Sequence, residues 1–174
     1  MNGKLTANKR KQLGTRFQTG LCEGKDAAVN ILVSACLLGE PCRYDGRAKP
    51  SDAVRALAKG HRLVPVCPEM LGGLPTPRPP SELQCTEAGV RVMNAEGRDV
   101  TAAFKCGAEA ACRLAEDEGC TVAVLKSASP SCGSETVYDG TFTGQLRRGE
   151  GMTAARLRGR GVTVVDEEHL DALP

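Results

Sequence analysis

The sequence is nearly devoid of aromatic residues. Phe, Tyr and Trp together make up 3% of it, and Trp is absent. A platform for long single-stranded nucleic acid stacks successive bases on aromatic rings, so this scarcity argues against one. A net charge of +2 over 174 residues leaves no overall basic surface for nucleic acid either. No apolar run approaches the roughly 18 residues that a membrane span requires. The N-terminus is basic but has no apolar core of about 7–15 residues, so it does not read as a secretory signal. No Cys-x-x-Cys pair occurs, which argues against a zinc ribbon or a thioredoxin-like redox pair. The two histidines, His61 and His169, are isolated, and neither is assigned to a site.

The few net charges are unevenly spread. Residues 1–28 carry Lys4, Lys9, Arg10, Lys11, Arg16 and Lys25 against Glu23 and Asp26. A short basic stretch of this kind reads as a solvated, disordered extension, with an anion-contacting arm as the sharper alternative. Residues 29–174 have the length of one domain with a real core. An apolar content of 41% and a charged content of 25% fit a soluble globular protein.

Cysteine is what the chain has in quantity: nine, an odd number. With no secretory signal, the expected location is the cytoplasm, where thiols stay reduced. Cysteines there bind metal or do chemistry more often than they form disulfides. Three of them follow short apolar runs. Ile31-Leu32-Val33 leads through Ser34-Ala35 to Cys36. Leu63-Val64-Pro65-Val66 leads into Cys67-Pro68-Glu69, and Val122-Ala123-Val124-Leu125 leads into Lys126–Cys132. Runs this short and branched read as strands buried on both faces. In a parallel sheet all three thiols converge on one edge, and in open α/β sheets that edge binds ligands. The gap from Cys36 to Cys67 suits one strand–helix–strand unit of roughly 30 residues.

The other cysteines are less informative. Cys42 lies in the first loop and can also reach the edge. Cys112 shares the apolar face of a long helix with Phe104 and reads as small core filler. Cys106 lies on the same helix. Cys22, Cys85 and Cys120 have no partner at ligand spacing.

The elements in between alternate. Ser51 caps a helix over 52–59, and Arg62–Val66 is the second strand. The stretch from Pro68 to Ser81 reads as a stiff Pro- and Gly-rich loop. Val90–Asn94 reads as a strand, Val100–Glu118 as the best helix, capped by Asp99 or Thr101, and Thr121–Leu125 as the third strand of the parallel set. A helix from Gly151 to about Arg160 and a strand over 162–165 complete the chain. Alternating strands and helices imply a parallel sheet. Tyr44-Asp45-Gly46 and Tyr138-Asp139-Gly140 echo one another but read as ordinary Asp-Gly turns.

Longer motifs carry a resemblance. Val33-Ser34-Ala35-Cys36-Leu37-Leu38-Gly39, with Cys42-Arg43-Tyr44-Asp45-Gly46, resembles the start of the bacterial thiouracil desulfidase family. The likeness continues through Cys67-Pro68-Glu69, Gly72–Arg78, Asp99-Val100-Thr101, Leu125-Lys126-Ser127, Ser129–Gly133, Tyr138–Phe142 and Gly151–Ala155. It covers about residues 30–168.

The resemblance implies a Rossmann-like, three-layer α/β fold with a mostly parallel sheet. It implies a 4Fe-4S cluster held by three cysteines with one iron free of protein ligands. The matching positions are Cys36, Cys67 and Cys132. It further implies that the thiocarbonyl sulfur of a thiolated pyrimidine meets the open iron. The sulfur then leaves as hydrosulfide, without net redox change, giving uracil or uridine. A Glu and a Ser assist; by motif position these are Glu69 and Ser129, with Ser131 or Ser127 as alternatives for the latter. An open iron polarises a carbon–sulfur bond as a Lewis acid, and a carboxylate can take the proton of an attacking water. Ser131, Arg78 and Lys126 are the candidate substrate-binding residues; a guanidinium can grip a phosphate or carbonyl oxygen in a fork.

Two other readings stay open. Cys36, Cys42, Cys67 and Cys132 could form a closed zinc site in a non-catalytic module. A desulfidase acting on thiouridine in tRNA is possible but disfavoured by the modest charge and few aromatics. The absence of the extra domain found in longer family chains favours a free base or nucleoside. No membrane partner is expected.

Overall fold

The computed structural model describes residues 28–87 and 89–173. Almost all of the expected N-terminal extension, with Cys22, lies outside the described residues.

Four strands form a parallel sheet in the order β2-β1-β5-β8. They are β1 (Asn30–Ser34), β2 (Arg62–Val66), β5 (Val122–Leu125) and β8 (Thr163–Asp166). Both faces of the two central strands, β1 and β5, are buried, which explains their continuous apolar runs. Leu32 faces α4 (Thr101–Asp117) and α5 (Met152–Arg158), packing among Ala111, Cys112, Ala115, Ala154 and Leu157. Its neighbours Ile31 and Val33 point the other way. They pack with Leu37 of α1 (Ala35–Leu38) and Val54 of α2 (Asp52–Ala56). The result is three layers: helices, sheet, helices. The Rossmann-like three-layer expectation holds.

Strand order decides where a ligand can enter. From β1 the chain moves to β2 on one side, then returns past β1 to β5 on the other. The direction reverses between β1 and β5. Crevices outside the carboxyl ends of the strands open at such a reversal, and β1 and β5 lead to Cys36 and Cys132.

The sequence reading departs from the structure in three places. Cys36 sits not at a bare strand end but in the one-turn helix α1, which follows β1 directly and ends at Gly39. The Pro- and Gly-rich segment opens with another one-turn helix, α3 (Pro68–Leu71), with Pro68 at its first position, where the missing N–H costs nothing. Third, Val90–Asn94 is not alone. Strand β4 (Gly89–Asn94) pairs antiparallel with β3 (Ser81–Thr86), and β6 (Thr136–Tyr138) pairs with β7 (Leu146–Arg148). These two hairpins stand apart from the main sheet. Phe104, Leu83, Val92 and Val137 form the small core beneath them.

Close packing fixes the loops that carry the thiols. α3 lies on α4 at Gly107, where a Cβ would stand 1.9 Å from the carbonyl oxygen of Pro68. The loop before Cys132 rests on the start of α5. Its Pro130, Ser131 and Gly133 carbonyls accept the N–H groups of Met152, Thr153 and Gly151 at 3.0, 2.9 and 2.8 Å. Those amides are therefore spent on the loop, as ordinary capping.

The far side of the Cys132 loop is tied to β8. Buried Asp166 accepts from the Ser134 hydroxyl at 2.6 Å, and from Glu168 N at 3.0 Å; it also lies 2.7 Å from His169 Nδ1. Burial alone would raise the Asp166 carboxyl, but Ser134 and His169 together hold it below the usual carboxylate range. Asp166 in turn raises His169. The carboxylate's contribution is present above its unfolded value of about 3.9 and is lost as pH falls through the depressed folded value. The imidazole's contribution is present below about 6.5 and is lost as pH rises through the elevated one. Asp166→Asn is therefore expected to be destabilising, most strongly between those limits, where carboxylate and imidazolium both contribute. Urea unfolding across pH checks this; an unchanged midpoint would remove Asp166 from the tie.

Candidate active site

A cavity of about 680 Å³ opens at the carboxyl ends of the parallel strands. Cys36, Cys42, Cys67 and Cys132 all line it. The three strand-end cysteines thus meet where the topology reverses, and Cys42 joins them. Cys36, Cys42 and Cys132 are buried and Cys67 is half-buried. Among the described cysteines all eight are free thiols. Cys85 and Cys106 are exposed and Cys112 is buried in the core. Cys85 and Cys106 lie away from the cavity lining, as do Cys112 and Cys120.

The four thiols influence one another. The Cys36 thiol, followed by burial, pushes that of Cys42 up to about 11, against a lowering by Cys67. Cys67 is raised well above the ordinary thiol range, first by its hydrogen bond with Cys42 and then by burial. Burial pushes Cys132 up to about 12, although the Ser34 and Ser131 hydroxyls favour its thiolate. The Cys42, Cys67 and Cys132 sulfurs are therefore held in the thiol form unless a cation compensates them. A metal bound here would displace their protons.

Glu69 lines the cavity on α3, two residues after Cys67. Its Oε2 accepts from Arg78 Nε at 2.7 Å, with the Arg78 side chain 5% exposed. Arg78 does not line this cavity; it borders a smaller neighbouring one. Its guanidinium also donates to the carbonyl oxygens of Pro75 and Cys42 and to Thr76 Oγ1, at 3.0, 3.0 and 2.9 Å. The fork foreseen in the sequence thus grips the protein itself. Arg78 joins the Glu69 carboxylate to the Cys42 loop, and among the described residues no hydrogen bond engages Oε1 of Glu69.

The three serines occupy different places. Ser129 lines the cavity, and its Oγ accepts from Ser131 N and Cys132 N, both at 3.1 Å. That is the turn-stabilising role Ser often takes. It leaves the hydroxyl proton available to donate. Ser127 also lines the cavity, but its Oγ is tied to Lys126 and Glu167 at 2.7 and 3.0 Å. Ser131 is buried behind the wall, its Oγ 2.8 Å from that of Thr153. Lys126 lines the cavity and is ion-paired with Glu167. Tyr44, Tyr138 and Phe142, which the sequence reading names within turns and motifs but assigns no role at the site, border the cavity with their side chains partly exposed. Their rarity in this composition was the available signal.

The sequence model of the family described as 2-thiouracil desulfurase matches residues 31–169. The chain belongs to that family. A solved structure of a [4Fe-4S]-dependent thiouracil desulfidase, TudS, superposes on it with a TM-score of 0.75 at 50% identity. That likeness covers 83% of this chain and 94% of TudS. The uncharacterized protein YbbK of Bacillus subtilis (strain 168) is 39% identical over 147 residues, 81% of this chain and 97% of its own length. For a member of the 2-thiouracil desulfurase family, the donor set is the point to test. Among the described residues, no three His, Cys, Asp or Glu side chains gather for a single metal ion. A closed zinc site needs four donors at ~2.0–2.3 Å from one centre, so the arrangement departs from the four-cysteine zinc alternative. An iron–sulfur cluster instead takes thiolates spread over several irons. Soft thiol donors from three strand ends, bordering one open cavity with hydroxyls beside a sulfur, fit such a cluster in kind. No described helix is long and apolar enough to cross a membrane.

Proposed function

We propose that this protein removes sulfur from a thiolated pyrimidine, thiouracil or its nucleoside, releasing hydrosulfide. Cys36, Cys67 and Cys132 would hold a 4Fe-4S cluster. Bound there, the cluster supplies a Lewis-acidic iron with affinity for the thiocarbonyl sulfur. The observation that carries the reading is the convergence of these thiols with Glu69 on one cavity.

The remaining work falls to side chains. Arg78 holds one oxygen of Glu69, which orients the carboxylate toward the cavity. Glu69 takes the proton of the water that attacks the ring carbon. Ser129, already accepting two amides, keeps its hydroxyl proton and donates it in a hydrogen bond to the substrate. Lys126 lines the wall with its ammonium engaged by Glu167 and Ser127, and sets the positive charge of that side of the cavity.

The test is preparation without oxygen, followed by iron and sulfide analysis and incubation with 2-thiouracil. The expected result is brown protein with broad visible absorbance that converts 2-thiouracil to uracil with one hydrosulfide per turnover. Colourless protein carrying zinc, or brown protein inert toward thiolated pyrimidines, would overturn the reading.

A further inference from the structure

The chain contains five Phe and Tyr residues. Phe104 is buried in the small core. Tyr44, Tyr138 and Phe142 are 43%, 37% and 38% exposed, and all three border the one 680 Å³ cavity. Aromatic rings left in water cost burial energy, so this concentration asks for a purpose.

The mounting is firm. Phe142 sits at φ +58, a conformation costly for a bulky side chain. Strain of this kind persists only where the surroundings over-determine it, as they do at ligand clamps. Here the brace is Glu82, buried on β3 and itself part of the cavity lining, with Oε2 turned to the loop. Its Oε2 accepts from Gly140 N at 2.9 Å and Phe142 N at 3.0 Å. A buried carboxylate served by backbone amides is expensive unless those bonds are kept. Gln84 Nε2 donates to Gly140 O at 2.9 Å, and a Cβ at Gly140 would stand 2.7 Å from the carbonyl oxygen of Leu83. The Arg43 guanidinium lies 5.6 Å from the centre of the Tyr44 ring and pairs with Asp45. That contact covers one face of Tyr44 and steadies the ring.

We propose that Tyr44, Tyr138 and Phe142 form an aromatic rim that stacks the planar heterocycle of the substrate, with Glu82 as the positioning residue that holds Phe142 in place. The proposal rests on the desulfidase reading and names how its substrate is gripped. Every pyrimidine has a π-face, so such a rim selects flat rings without reading their edges. Depth in the cavity then decides which atom meets the thiols.

The test measures KM and kcat for 2-thiouracil, iron content, and equilibrium dialysis of uracil, on the iron-loaded protein. Phe142→Leu and Tyr138→Leu should raise KM and weaken uracil binding roughly 5–150-fold, the range of one lost stacking contact. Iron should stay constant and kcat should move far less, the signature of lost uniform binding. Phe142→Trp should restore binding. Glu82→Leu should copy Phe142→Leu, and Glu82→Gln, which keeps an acceptor oxygen, should largely rescue it. Unchanged KM and uracil binding in Phe142→Leu and Tyr138→Leu, with active wild type, would overturn the rim alone. If wild-type protein carries iron but does not turn over 2-thiouracil, the desulfidase reading falls instead. The rim is then judged by uracil: selective loss of binding in the Leu variants sustains it, and equal or absent binding in all proteins overturns it.

Discussion

Cys36→Ser, Cys67→Ser and Cys132→Ser proteins prepared without oxygen are each expected to lose the iron, the visible absorbance and all turnover. A hydroxyl is a hard donor that keeps its proton, whereas iron–sulfur clusters are held by thiolates. Each residue follows its own parallel strand, and each borders the same cavity. Losing one leaves two donors that cannot replace it from distant sequence. Cys106→Ser is the control, because Cys106 is exposed on α4 away from the cavity; its iron should match that of wild type. Cys42→Ser is the discriminating variant. Cys42 lines the cavity beside Cys36 and Cys67, and its carbonyl accepts from Arg78. Iron retained in Cys42→Ser leaves one iron open for substrate. Iron lost as completely as in the other three would mean a closed four-cysteine site, and the open-iron mechanism would fail. Full iron in any of the first three variants would remove that residue from the ligand set.

Glu69→Gln should keep iron and colour but lose turnover by roughly 10²–10⁴, the usual weight of a general acid or base. The amide has nearly the carboxylate's shape, and its oxygen can still accept from Arg78 Nε. Packing of α3 on Gly107 is untouched. What disappears is the ability to take a proton. Arg78→Lys separates orientation from proton transfer. Lysine cannot serve Glu69, Cys42, Pro75 and Thr76 together, as the guanidinium does. Losing such a supporting partner typically costs 10–100-fold. The expected order of kcat is therefore wild type, Arg78→Lys, Glu69→Gln. Near-normal turnover in Glu69→Gln would assign the base elsewhere. Iron loss in that variant would make Glu69 a ligand or a structural support.

The sequence by itself determined the architecture and the edge at which the cysteines gather. Strand β2 lies where its apolar run ends, over Arg62–Val66, and α4 follows its expected apolar face closely. Burial is encoded locally, as period and run length, and so are the turns that stop an element. Parallel strands share one carboxyl edge, so three cysteines at strand ends had to meet. Only the tertiary structure decided what each polar group does there. Arg78 turned out to be the partner of Glu69, Ser131 that of Thr153, and Ser129 a brace for the Cys132 turn. Strands β3, β6 and β7 were illegible because hairpins beside a sheet need no long apolar run; their pairing comes from segments they meet in space. Glu82 reaches Phe142 across sixty residues of sequence. Nothing near either residue announces that bond, because it exists only once the chain has closed the intervening loops and buried the carboxylate.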